Sequence, residues 1–149
     1  MSAPLQLTFR VACPAEHAFR IWTERTSLWW PADHTVTGED GLDVVIEPGV
    51  GGRIYERTAG GREEDWGEVL AWDPPRRLAY LWHLRADRAD ATEVEITFVP
   101  DGDGTEVRID HRGWERLGER GDAWRDRNRR GWETLLPWYV RHCEGGAHG

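Results

Sequence analysis

Between Leu42 and Arg112 the chain reads as six short strands separated by turn sequences, and only one long helical segment follows them. Strands in such a run build a sheet with one apolar face to bury, so the helix from about Asp122 to His142 must cover it. Leu42–Glu47 is closed by "PGVGG" and Arg53–Thr58 by "AGGREED", while "DPPRR" separates Trp66–Trp72 from Leu78–Leu84. Glu93–Val99 and Thr105–Arg112 flank "DGDG", a strong hairpin signal. Val94, Ile96 and Phe98 then share one face, as do Val107, Ile109 and His111 on the partner strand, with Glu95 and Arg108 on the solvated side.

The first part of the chain adds one strand and two short helices. "LQLTFRV" (Leu5–Val11) alternates apolar and polar residues, the pattern of a half-buried strand. Pro14 suits the first position of a helix, and Ala15, Ala18, Phe19 and Trp22 give that helix an apolar stripe. A second helix over Thr26–Trp30 ends at Pro31, because a residue before proline is pushed out of helical geometry. The last helix carries Trp124, Trp132, Leu135 and Tyr139 on one side, with Asn128 and Gly131 among them, and Pro137 predicts a bend. The sum is α+β: a curved antiparallel sheet of about seven strands wrapped on one long C-terminal helix, in a single domain over residues 1–149.

Composition narrows the function classes. A net charge of -8 disfavours a phosphate backbone as partner, so nucleic acid is not expected. No apolar run approaches the roughly 20 residues that span a bilayer, so no membrane span is expected. The first residues lack a basic start followed by an apolar stretch, which makes a cytoplasmic protein the expectation. Cys13 and Cys143 lie near opposite ends of the chain and are expected as reduced thiols, with pairing left open. No zinc spacing, phosphate-cradling loop or nucleophile elbow is present, and no cofactor or metal is expected.

Five motifs in order point to a family: "CPAEHAFRIWTERTSLWWPADHTV", "EPGVGGRIYERT", "WGEVLAWDPPRRLAYLWHL", "GTEVRIDHRGWERL" and "GWETLL". Together they resemble the START/Bet v 1-like (SRPBCC) superfamily of helix-grip proteins, and within it the branch named after the C-terminal domain of the heat-shock-90 ATPase activator. That resemblance implies a deep cavity between a seven-stranded sheet and the C-terminal helix. It also implies binding of a small apolar or aromatic molecule, by a carrier or sensor. Two alternatives follow from it: a cyclase, aromatase or hydrolase-like enzyme using His111 and Glu56, and a chaperone-interacting protein. The sequence leaves monomer and homodimer both open, since exposed tryptophans among the 10 in the chain would suit a dimer contact.

The candidate ligand-binding residues are Trp30, Ile54, Glu56, Trp66, Trp82, His111, Asn128, Trp132 and Leu135. Trp29 and Trp30 point about 100° apart on a helix, so one can seal the core while the other faces the opening. Glu56, His111 and Asn128 are polar residues in apolar registers, and a buried polar group must be paired. They are open to three readings: a structural network, orientation of a ligand, or acid–base catalysis. The faces of Trp66 and Trp82 are ambiguous from pattern alone. Strict alternation puts His83 opposite Trp82, so that only one of them can face the cavity. His34 is read as a surface loop residue just past the mouth.

Overall fold

A computed structural model describes residues 4–83 and 90–146. Its elements are β1 (Leu5–Val11), α1 (Ala15–Glu24), α2 (Thr26–Trp29), β2 (Asp43–Ile46), β3 (Arg53–Arg57), β4 (Glu63–Asp73), β5 (Arg77–Trp82), β6 (Thr92–Asp101), β7 (Gly104–Arg112) and α3 (Gly121–Gly146). Short 3-10 turns occupy Ala32–His34 and Trp114–Arg120. The seven strands form one antiparallel sheet in the order β1-β7-β6-β5-β4-β3-β2. Every neighbouring pair except β1–β7 is a sequential hairpin, and β1 closes the far edge by pairing Leu5 with His111.

The hairpin registers carry the alternation into three dimensions. Thr92, Val94, Ile96 and Phe98 all face inward on β6, opposite Val107, Ile109 and His111 on β7. Several strands run longer than the turn signals imply. The longest extension is in β4, which begins at Glu63 rather than Trp66, because Glu63 pairs with Arg57 and Glu64 with Glu56 inside the stretch read as a turn. Leu84, expected at the end of β5, lies outside the described residues.

β4 carries two irregularities that bend the sheet. Ile54 lies opposite Gly67 and Tyr55 opposite Asp65, so Trp66 is the extra residue of a bulge. A second extra residue, Leu70, falls between the Val69–Tyr80 and Ala71–Ala79 pairs. Gly67 is required at the first bulge, since a Cβ there would collide with the carbonyl oxygen of Leu81.

The core lies where α1, α2 and α3 meet the concave sheet. Trp22 is its centre: its ring is 4.9 Å from Trp29, 4.8 Å from Tyr139 and 6.0 Å from Trp132. Such tilted and edge-to-face contacts each add about 0.5–1.5 kcal/mol beyond burial itself. Trp29 donates from Nε1 to the Ile21 carbonyl at 3.0 Å, and the Tyr139 hydroxyl donates to the Ala18 carbonyl at 2.7 Å. Those bonds satisfy the polar ends of two buried rings. α3 continues through Pro137 as one helical element. Pro137 and Glu133 are both on the exposed face, where water can satisfy a carbonyl left without its helical donor.

Candidate functional site: an indole-lined cavity

A cavity of about 760 Å³ lies between the sheet and the first half of α3. That volume is within the range of small-molecule sites. Its apolar wall includes Trp30, Trp82, Trp114, Trp124, Trp132 and Leu135. Its polar lining comes from Asp33 and His34 after α2, Glu64 and Asp65 on β4, His83 after β5, Asp90 and Thr92 at the start of β6, and Arg120, Arg127 and Asn128 on the helical side. Trp132 and Leu135 are buried at 3% and 4% exposure, whereas the Asp33 and Asp65 side chains are 84% and 61% exposed. The cavity therefore has an apolar floor and a charged rim.

The tandem tryptophans divide between core and cavity, although only Trp29 is helical: α2 ends there, one residue before the expected end, and Trp30 is its extended C-cap. Trp29 packs on Trp22 and Tyr139 in the core. Trp30 sits on the cavity wall, 5.1 Å from the Trp66 ring and 5.7 Å from that of Trp82. Trp82 continues the wall towards Trp132, with ring centroids 6.5 Å apart and planes at 28°. Of the nine residues singled out from sequence, Trp30, Trp82, Asn128, Trp132 and Leu135 line the cavity. Ile54, Glu56, Trp66 and His111 are packed behind that lining, at 0–2% exposure.

Glu56 is fully engaged where it stands. Its Oε1 accepts from the Val36 amide at 2.6 Å and the Trp66 indole N–H at 2.7 Å, and its Oε2 accepts from the Thr37 amide at 2.9 Å. Burial alone would raise the carboxyl pKa, but these donors, with the Thr37 hydroxyl, hold it below the usual value. An ionised Glu56 thus fastens the segment after α2 to β3 and fixes the Trp66 ring behind Trp30.

His111 belongs to a directed hydrogen-bond chain. The Trp132 indole can only donate, and its Nε1 is 3.1 Å from His111 Nδ1, so Nδ1 is the acceptor. The proton of the neutral ring is therefore on Nε2, which donates to Thr92 Oγ1 at 2.7 Å. The Thr92 hydroxyl in turn reaches the carbonyl of Trp82 at 3.4 Å. Burial pushes the His111 pKa down to about 3. The Trp114 ring lies 4.3 Å from the imidazole, and its N–H donates to the His111 carbonyl at 2.8 Å. Gly113, at φ 97°, supplies the left-handed turn that brings Trp114 back under β7.

Two expectations change at the cavity. His83 and Trp82 both line it, because β5 ends at Trp82 and the alternation of a strand no longer governs the next residue. His34 also lines it, rather than lying on the outer surface of its loop. Thr92 and Trp114 were not singled out from sequence. Thr92 is in phase with Val94, Ile96 and Phe98, a signal hidden by reading it as part of the preceding loop. Asn128 directs its amide to the Trp124 carbonyl at 2.9 Å, one turn back on its own helix. Among the described residues, no group of three or more His, Cys, Asp or Glu is placed to hold a metal ion. Nor is any described helix long and apolar enough to cross a membrane.

Known proteins place this architecture in context. An anthrahydroquino-gamma-pyrone synthase, Txn09, is 38% identical, with a TM-score of 0.58 over 81% of this chain and 82% of its own. The Aha1 dimer from Colwellia psychrerythraea is 16% identical, with a TM-score of 0.68 over 96% of this chain and 97% of its own. An AHSA1-like protein from Aeromonas hydrophila is 18% identical, with a TM-score of 0.64 over 96% and 94% of the two chains. The latter two likenesses concern the fold. No curated sequence matches the chain. The profile described as Activator of Hsp90 ATPase homolog 1-like protein matches residues 12–137, and the chain belongs to that family.

Proposed function

We propose that this protein binds a small planar aromatic molecule in the cavity between its sheet and α3, as a carrier or sensor. The observation that carries this reading is the indole wall of Trp30, Trp82 and Trp132 on an apolar floor, beneath a rim of charged groups. Flat π surfaces favour flat aromatic partners, and a rim of donors and acceptors selects those with polar substituents. Glu56 and His111 support the wall in this reading: one anchors Trp66 and the other anchors Trp132.

A second reading, an enzyme that closes a ring on an aromatic polyketide, is favoured by the 38% identity to a pyrone synthase. In it, Glu56 and His111 are positioning residues, since their polar atoms are occupied and lie behind the wall. Chaperone contact rests on the family's name, and one fold hosts many functions.

The test is native mass spectrometry of protein purified from its own host, alongside titration of the tryptophan fluorescence with an aromatic panel. A retained small molecule, or saturable quenching that is lost in Trp30→Ala, supports the cavity as a binding site. No bound mass and no saturable response would sink the reading.

A further inference from the structure

One pair on the cavity rim has the geometry of an oriented proton acceptor. The 3-10 turn Ala32–His34 is tied down at both ends: the His34 amide donates to the Pro31 carbonyl at 3.0 Å, and Trp30 Nε1 donates to the His34 carbonyl at 3.0 Å. The same tryptophan that forms the wall therefore fixes the histidine beside it. His34 Nδ1 lies 2.9 Å from Asp33 Oδ1. A carboxylate only accepts, so Nδ1 carries the hydrogen and the Nε2 lone pair is left free. Nε2 has no partner among the described residues, and the side chain is 23% exposed on the cavity wall. His111 is the contrast, with both ring nitrogens engaged behind the wall.

The neighbouring charges do not compete for this role. Asp65 pairs with Arg53 at 2.7 Å, Glu64 with Arg62 at 3.4 Å, and Asp90 with Arg120 at 3.8 Å, while the Arg127 guanidinium sits 5.3 Å over the Trp124 ring. An imidazole held by a carboxylate is a good acceptor because the carboxylate orients the ring and stabilises its cation. The matching donor on a flat ring stacked against Trp30 is an acidic hydroxyl in the ring plane, that is, a phenol.

We propose that His34 recognises a phenolic hydroxyl on the aromatic occupant through Nε2, with Asp33 as its positioning residue. This rests on the aromatic-ligand reading above and adds the substituent. When the proton transfers, the O–H electron pair stays on the phenolate oxygen and the proton bonds to Nε2. The resulting imidazolium lies between the phenolate and the Asp33 carboxylate. When the proton stays, the same atoms share a hydrogen bond.

The test is fluorescence titration of the full chain with two probes, anthraquinone and 2-hydroxyanthraquinone. In the unsubstituted protein the hydroxylated probe binds more tightly. His34→Phe weakens it about tenfold, equivalent to one charge-assisted hydrogen bond, and leaves anthraquinone unchanged. Asp33→Asn gives a smaller loss, again for the hydroxylated probe alone. Equal losses for both probes in His34→Phe, or no loss for either, overturn the role of His34 while leaving the cavity reading in place. Failure of both probes to quench the unsubstituted protein overturns the aromatic-ligand reading, and this inference with it.

Discussion

The Trp132 indole N–H donates to His111 Nδ1 at 3.1 Å, so a residue of the cavity wall is held by a histidine that faces no solvent. This contact joins α3 to β7 and fixes the histidine's tautomer. It also makes the charge state of His111 a property of the fold.

Acidification should reveal that coupling. Folded His111 titrates at about 3, below the ordinary value near 6.5, so the unfolded chain binds the proton more readily. Its contribution to stability is complete above pH about 6.5 and is lost as pH falls from there towards 3, at up to about 1.4 kcal/mol per unit. Urea unfolding at several pH values, compared with His111→Gln, isolates the effect. The native protein should lose stability more steeply between pH 6.5 and 4.5, and parallel slopes would refute the assignment.

Glu56→Gln tests the carboxylate behind Trp30. Three donors converge on its two oxygens, and an amide must turn an N–H towards at least one of them. We expect a loss of about 1–3 kcal/mol, with faster hydrogen exchange at the Val36 and Thr37 amides. Exchange unchanged at both amides would show that Glu56 does not hold this segment.

Trp22 and Trp30 should separate stability from binding. Trp22→Ala removes the centre of the core and should cost about 3–5 kcal/mol, leaving ligand quenching intact wherever the variant is folded. Trp30→Ala removes wall area from the cavity and should abolish quenching at a smaller stability cost. Denaturant melts paired with titrations decide it, and equal loss of binding in both variants would contradict the division.

The two thiols should be silent in the native state. Cys13 and Cys143 are free and buried at 1% and 0% exposure; their mutual hydrogen bond, with burial, raises the Cys143 pKa well above the ordinary thiol value and lowers that of Cys13, so burial is what shields Cys13. A reagent must reach the sulfur before either thiol can react, so modification by an aromatic disulfide reagent should be slow and should accelerate with urea in step with unfolding. Rapid labelling of the folded protein would show that this end of α3 opens locally.

Much of the architecture was legible because periodicity is a local property. The alternation in Glu93–Val99 and Thr105–Arg112 identified the inward faces that the hairpin register displays, and the stripe on the last helix identified the residues that meet the sheet. The candidate site was less legible. Trp66 could not be assigned a face because it is the extra residue of a bulge, and His83 escaped its alternation because β5 stops one residue earlier.

By itself, then, the sequence determined the count and order of strands, the α+β class and the inward faces of β6 and β7, since these follow from residue spacing along the chain. Tertiary structure alone decided which inward residues touch the cavity. Glu56 and His111 lie behind it because donors remote in sequence, at Val36, Trp66 and Trp132, occupy their polar atoms. His34 reaches it because Trp30 and Asp33 hold its turn against the wall. Hydrogen bonds between distant segments and breaks in strand register leave no periodic trace, and here they separate the lining of the cavity from its support.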